Sequence, residues 1–252
     1  MAMPAARAAD TTGLLEPPAP TLSSLTTQEP HPALVEGYRA YERGDLDNAL
    51  RAYREALSSS PQDASLWYDL GCLQAMNQQP DEAKAALRHA ISLDPRLTNA
   101  YDALGQLYEQ DGHADVAQAL YANADAVTPA QPKLLRHLIR ALLRLNATAP
   151  ARRALRELLL AAPADLDARY QLGVLELRAD APESAFHEFQ VILEQAPDRV
   201  MAWHGAALAS VRIGALNEAR RAWQRALALD PTFEPAAKNL EALDELTPPT
   251  NP

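Results

Sequence analysis

Six prolines set the frame of this chain: Pro61, Pro95, Pro129, Pro163, Pro197 and Pro231 fall at intervals of 34 residues. Six alanines, Ala49, Ala83, Ala117, Ala151, Ala185 and Ala219, keep the same interval. Two residue types in register over six copies mark an internal repeat, and a period of this size is the signature of a solenoid. Each copy holds two apolar-periodic segments of about 13 residues, the pattern of two short helices. A polar break such as Arg43-Gly44-Asp45 or Gln110-Asp111-Gly112 separates them. The recurring alanine falls in the second helix, where a small side chain lets two backbones approach. The recurring proline falls just past that helix and ends it without removing an internal hydrogen bond. One such hairpin cannot bury its apolar face alone, so neighbours must stack.

Within this frame Trp67, Leu70, Gly71, Ala83, Ala90 and Pro95 recur in kind as Tyr101, Leu104, Gly105, Ala117, Ala124 and Pro129. Leu172, Gly173, Ala185, Phe189 and Pro197 repeat the pattern, as do Trp203, Ala219, Trp223, Ala226 and Pro231. These residues resemble the tetratricopeptide repeat family, and the resemblance covers residues 30–246. It implies an all-α fold, a right-handed α-solenoid of antiparallel helix pairs. The expected repeats are 30–63, 64–97, 98–131, 132–165, 166–199 and 200–233, followed by a capping helix at 234–246 with Ala236, Leu240 and Leu243 on its apolar side. Residues 1–29 and 247–252 lack periodicity and are expected to be disordered tails. The fourth repeat departs from the others: Ile139 stands where Gly37, Gly71, Gly105 and Gly173 recur, and its turn, Asn146-Ala147-Thr148-Ala149-Pro150, has no glycine. Asn146 or Thr148 is the expected cap of its second helix.

The chemistry-bearing residues form no reactive set. Neither a Gly-rich phosphate loop nor an HExxH pair is present, and the six histidines keep no ligand spacing with Cys or Asp. Cys72 is the one cysteine, with no activating base beside it. No catalysis, cofactor or metal is therefore expected. The first nine residues have no apolar run behind Arg7, and no stretch approaches the length needed to cross a bilayer, so the expected location is cytoplasmic, without membrane insertion. A net charge of −10 sets the chain against nucleic acid unless a basic patch overcomes it.

In the family resembled, the first helices of successive hairpins line a groove that holds a peptide or a partner helix, so the chain is expected to be a non-catalytic scaffold or adaptor for protein partners. The corresponding stripe gives an aromatic and apolar patch of Leu34, Tyr38, Tyr41, Tyr68, Cys72 and Met76. A polar patch follows at Asn99, Asp102, Gln106 and Glu109, then a basic one at Lys133, Arg136, Arg140, Arg144, Tyr170, Arg178, His204 and Arg212. Residues 132–165 carry seven basic against two acidic side chains, whereas residues 98–131 carry five acids and no base. An acidic or mixed partner segment follows from the basic patch. Arg144, Arg178 and Arg212 share the repeat interval and form either a ladder for such a segment, at steps of about 10 Å, or cations that stabilise helix C-termini. The groove tyrosines are balanced in the same way between contact and packing. A self-assembling module, against a monomer or weak oligomer, and an RNA-binding repeat are the competing expectations. The family's carboxylate clamp would need a groove asparagine beside the only basic pair, Arg136 with Arg140, and none is there.

Overall fold

A residue that precedes proline is driven out of the helical region, and every second helix of the repeat stops at such a residue. In the computed structural model of the protein, which describes residues 32–246, Ser60, Asp94, Thr128, Ala162, Ala196 and Asp230 close their helices at φ between −139° and −132°. Each donates its backbone N–H to the carbonyl four residues back, which satisfies one of the orphan acceptors of the helix end. The two tails expected to be disordered lie outside the described residues.

The helices pair as the repeat requires. The first unit of the chain, which ends at Thr128, holds α1 (Pro32–Glu42) with α2 (Leu46–Ser59), α3 (Ala64–Met76) with α4 (Pro80–Leu93), and α5 (Thr98–Gln110) with α6 (Ala114–Val127). The second unit holds α7 (Pro132–Arg144) with α8 (Thr148–Ala161), α9 (Leu166–Arg178) with α10 (Pro182–Gln195), α11 (Val200–Ile213) with α12 (Leu216–Leu229), and α13 (Glu234–Leu246). Asp45, Asp63 and Asp165 cap α2, α3 and α9 through their side chains, and Pro80, Pro132 and Pro182 occupy the first turn of α4, α7 and α10.

All six hairpin turns pass through the left-handed region at one register position. Gly44, Gly112 and Gly214 take it at φ of 76°, 83° and 86°, and Gln78, Asn146 and Asp180 at 57°, 54° and 55°. In the fourth repeat Asn146 is this turn residue. Ala147 precedes α8 without a side-chain cap, so neither Asn146 nor Thr148 caps the helix as the sequence led us to expect. The turn geometry takes Asn146 instead, because asparagine tolerates a positive φ better than most residues.

The recurring alanines are all fully buried. Their helices come so close that a Cβ added to Gly105 would lie 2.4 Å from the Tyr121 ring, and one added to Gly173 2.8 Å from that of Phe189. In the first unit Leu50, Tyr53 and Leu57 of α2 meet Leu66, Leu70 and Leu73 of α3, and Leu87 and Ala90 of α4 meet Leu104 and Leu107 of α5. In the second, Phe189 and Ile192 of α10 pack on Ala202, Ala206 and Ala209 of α11. Ala236, Leu240 and Leu243 of α13 close the stack over Trp223.

Cross-repeat polar bonds reinforce each stack. The indoles of Trp67 and Trp203 donate to the carbonyls of Pro61 and Pro197 at 2.8 and 2.9 Å, and Arg169 donates to Pro163 at the same register. Lys84, Arg152 and Arg220, two repeats apart in sequence, each reach an acid of the next repeat or cap: Asp111, Glu176 and Asp244. Glu176 is buried and takes Arg156 as well, at 2.6 Å, which ties α8 to α9.

Candidate functional site

Helix α7 has the sequence PKLLRHLIRALLR, which divides cleanly at helical periodicity. Leu134, Leu135, Leu138, Ile139, Ala141 and Leu142 are buried, while Lys133, Arg136, Arg140 and Arg144 are exposed along one stripe. Residues at this spacing share a face because successive turns bring every third or fourth side chain into line. Three of the four, Arg136, Arg140 and Arg144, border a cavity of about 590 Å³ between α7, α8 and α9. Its floor is apolar, made by Ile139 and Leu143 of α7 with Leu155 and Leu158 of α8. Its far wall is the first two turns of α9, with Asp167, Ala168 and Gln171, and the capping Asp165.

The charges on this rim are organised. Arg136 donates from Nε and Nη2 to one oxygen of Asp165, at 3.2 and 2.8 Å. The other Asp165 oxygen accepts the Ala168 N–H at 2.9 Å. Burial alone would push the Asp165 carboxyl up, but the Ala168 N–H and the Arg136 guanidinium outweigh it and hold the group below the usual carboxylate range. Asp167 faces Arg199 at 2.7 Å. Both rim carboxylates therefore face an arginine, and Arg140 and Arg144 continue the basic stripe along α7. That arrangement places arginine side chains beside an apolar surface.

Other expected groove residues of this unit lie away from the cavity, several of them in contacts within the fold. Tyr170 is half-buried with its ring 5.7 Å from Phe189, and burial pushes its hydroxyl pKa up. His204 accepts a hydrogen bond at Nδ1 from the Trp223 indole, 3.1 Å away, and stands edge-on to Phe233. Burial lowers its pKa and keeps it neutral. Arg212 donates to the Leu177 carbonyl at 2.7 Å and lies 3.9 Å from Asp180, so it sits on the C-terminal end of α9, where a cation meets the negative pole of the helix. Arg178 and Lys133 are exposed and do not border the cavity.

In the first unit, Tyr38 and Tyr41 are half-buried, and Glu42 beside Tyr38 raises the pKa of its phenol. Tyr68 departs from expectation: it is 1% exposed, within a core cluster that contains Cys72, Ala100, Ala103 and Leu104. Here the neighbouring repeat comes close enough to enclose the ring, and burial drives the phenol pKa far above its ordinary value. Asp102 and Glu109, expected on the polar patch, are likewise buried, and Glu109 accepts from the Tyr121 hydroxyl at 3.1 Å.

The cavity itself escaped the sequence reading, as did the roles of Leu143, Asp165 and Gln171. One signal was visible: Ile139 in place of the hairpin glycine puts bulk between α7 and α8 at the cavity floor. Among the described residues no group of three or more His, Cys, Asp or Glu side chains could hold a metal ion, and no helix is long and apolar enough to cross a membrane.

Three repeat models of one family match the chain: a TPR repeat over residues 37–78 and tetratricopeptide repeats over 64–97 and 138–200. No curated protein matches it. Among solved structures it is similar to YrrB, described as a TPR protein with an unusual peptide-binding site, at 20% identity and a TM-score of 0.66, covering 77% of this chain and 100% of that one. It is also similar to a tetratricopeptide repeat protein from Parabacteroides merdae, at 15% identity and 0.57, covering 84% and 97%. MamA from Desulfovibrio magneticus RS-1, residue 41 to the end, matches at 18% and 0.54, covering 66% and 94%. The two repeat registers, the buried small residues and these matches agree: the chain belongs to the tetratricopeptide repeat family, with six repeats and a C-terminal capping helix.

Proposed function

We propose that the protein is a non-catalytic scaffold that binds a segment of a protein partner, and that the segment carries acidic residues which meet Arg136, Arg140 and Arg144. The observation that carries this reading is the cavity between α7 and α9, where the exposed side chains of Arg136, Arg140 and Arg144 stand at the edge of an apolar floor, Arg136 also bonded to Asp165. The peptide-binding site described for YrrB supports the same class of ligand. Carboxylates on an extended segment, spaced at about 3.3 Å per residue, can meet Arg140 and Arg144 one helical turn apart with one residue between them.

The test is selection of displayed random peptides on the full chain and on an Arg140→Glu, Arg144→Glu variant of unchanged helicity. Arg136 is left in place because its bond to Asp165 also holds the start of α9. Acid-rich peptides that bind the wild type, weaken as salt shortens the screening length to below about 8 Å and lose the variant are the expected result. Peptides without acidic enrichment, or equal binding to both proteins, would refute the reading. So would single-stranded RNA that binds better than any peptide and is lost in the same variant.

A second reading is self-association through a cavity of about 620 Å³ between α10, α11 and α12. Its rim carries Glu194, Glu218, Arg221 and Arg225, a mixture of signs that a second copy can complement. Sedimentation over a range of concentrations separates the two, since the scaffold reading keeps the protein alone monomeric.

A further inference from the structure

The cavity is more than a charged patch, and its floor has a ligand chemistry of its own. Resting on the scaffold reading above, we infer that the partner segment is anchored by one large apolar side chain, seated between α7 and α9, with its acidic residues on the α7 side of that anchor. The arginine stripe alone would need no depression behind it. Here the stripe stands at the edge of a space of about 590 Å³, within the range of about 300–1,000 Å³ that ligand pockets occupy.

The origin of the space is local. In other repeats a small residue on the first helix lets it close onto a large side chain of the second, as Gly71 does on Leu87, Gly105 on Tyr121 and Gly173 on Phe189. In the fourth repeat the bulky Ile139 takes the place of that small residue and faces Leu155, and both border the cavity. On the α9 side the wall residue is Ala168, too short to reach across, and the ion pairs of Glu176 with Arg152 and Arg156 hold α9 against α8 further along. The opening is therefore framed by fixed bonds, including the Arg136 bond to Asp165 at its rim. Leu143 is only half-buried and forms an exposed part of the apolar floor.

The rim gives the segment a direction. On the α7 side Arg140 and Arg144 favour carboxylates. On the α9 side Asp165 and Asp167 are paired with Arg136 and Arg199 and add no open cation, and Gln171 offers both a donor and an acceptor to a peptide backbone. A segment with small side chains satisfies the charges and leaves the floor wet. One with a leucine or phenylalanine between its acids also covers Leu143 and the floor beneath it.

The test uses the full chain and fluorescent peptides of constant acidic flanks in which the central residue is Gly, Ala, Leu or Phe, read by anisotropy. Leu or Phe at the centre should bind about ten- to a hundredfold more tightly than Gly, the factor that corresponds to burying such a side chain. Gln171→Trp, at an exposed position of the wall, should fill the space and erase that preference, read as the ratio of the Leu or Phe peptide to the Gly peptide on the same variant. Acid-dependent binding with no preference among the four centres would overturn the anchor and leave the scaffold reading intact. Failure of all four peptides to bind would remove both. Self-association of the wild type that Gln171→Trp abolishes would put a second copy in the cavity and likewise overturn the inference. The comparison of centres on the wild type stands even if the tryptophan variant does not fold.

Discussion

The six left-handed turn residues form an internal experiment on backbone strain. Gly44, Gly112 and Gly214 have nothing within 4 Å of where a Cβ would stand, so Gly→Ala there tests the dihedral angle and not packing. A left-handed conformation costs an ordinary L-residue about 1–2 kcal/mol. The smaller entropy of the unfolded chain returns about 0.4–1 kcal/mol of it. Each alanine variant should therefore lose about 1 kcal/mol. The reverse changes follow from the same balance. Gln78→Gly should gain about 0.5–1 kcal/mol, because glutamine has no special tolerance of this region and its side chain is exposed. Asp180→Gly should gain less, since it also gives up the 3.9 Å approach of Arg212, an exposed pair whose contribution is about 0–1 kcal/mol. Asn146→Gly should be nearly neutral. Urea unfolding followed by far-ultraviolet circular dichroism measures all six, provided the slope of free energy against denaturant stays constant across the set. A loss of stability in Gln78→Gly, or no loss in the three alanine variants, would refute the argument that the turn conformation dominates at these positions.

Three further perturbations test the packing and the buried charges. Gly105→Ala must displace the fully buried Tyr121 ring from a 2.4 Å approach. It should cost about 1–3 kcal/mol from overpacking, less about 1 kcal/mol of helix propensity, a loss read in a thermal melt. Glu176→Gln leaves Arg152 and Arg156 without their acid and should cost about 2–3 kcal/mol. That is below the range for a fully buried pair, because Arg156 is more than half exposed. Denaturant unfolding of this variant beside Glu176→Leu, Arg152→Leu separates a stranded charge from a lost contact. His204 has a pKa below its ordinary value of 6.5 because burial disfavours the cation. The unfolded state then binds more protons between the two values, so this stability is complete above about pH 6.5 and is lost as pH falls toward the folded pKa. Melts at descending pH should show a steeper decline for the wild type than for His204→Gln.

Much of the fold could be read from spacing. Each repeat proline fixes where a second helix ends by steric action on its predecessor, and each repeat alanine fixes which face touches the partner helix; both effects are local. The turns were half legible: glycine announces a positive φ at three of the six, but Gln78 and Asp180 reach the same angle under the pull of the hairpin around them. The site was less legible. The stripe from Lys133 to Arg144 follows from helical periodicity, whereas the cavity behind it depends on how Ile139, Leu155 and Ala168 fill space between three helices. The fates of Arg212, His204 and Tyr68 were hidden for a related reason. Leu177, Trp223 and the α5 alanines that engage them lie in other helices, and only the stacked structure brings them together.

The cations at positions 84, 152 and 220 give the protein a grain coarser than its repeat. Because every other hairpin carries one, the natural module is a pair of hairpins, 68 residues long, bolted forward to whatever follows. By register, excising residues 166–233 would set Arg152 opposite Asp244, a ready counter-ion; excising residues 166–199 would set it opposite Ser210 instead. Lengthening or shortening of such a chain in evolution, or by design, is therefore cheaper in twos than in ones, and the melting temperatures of those two deletions would expose the difference.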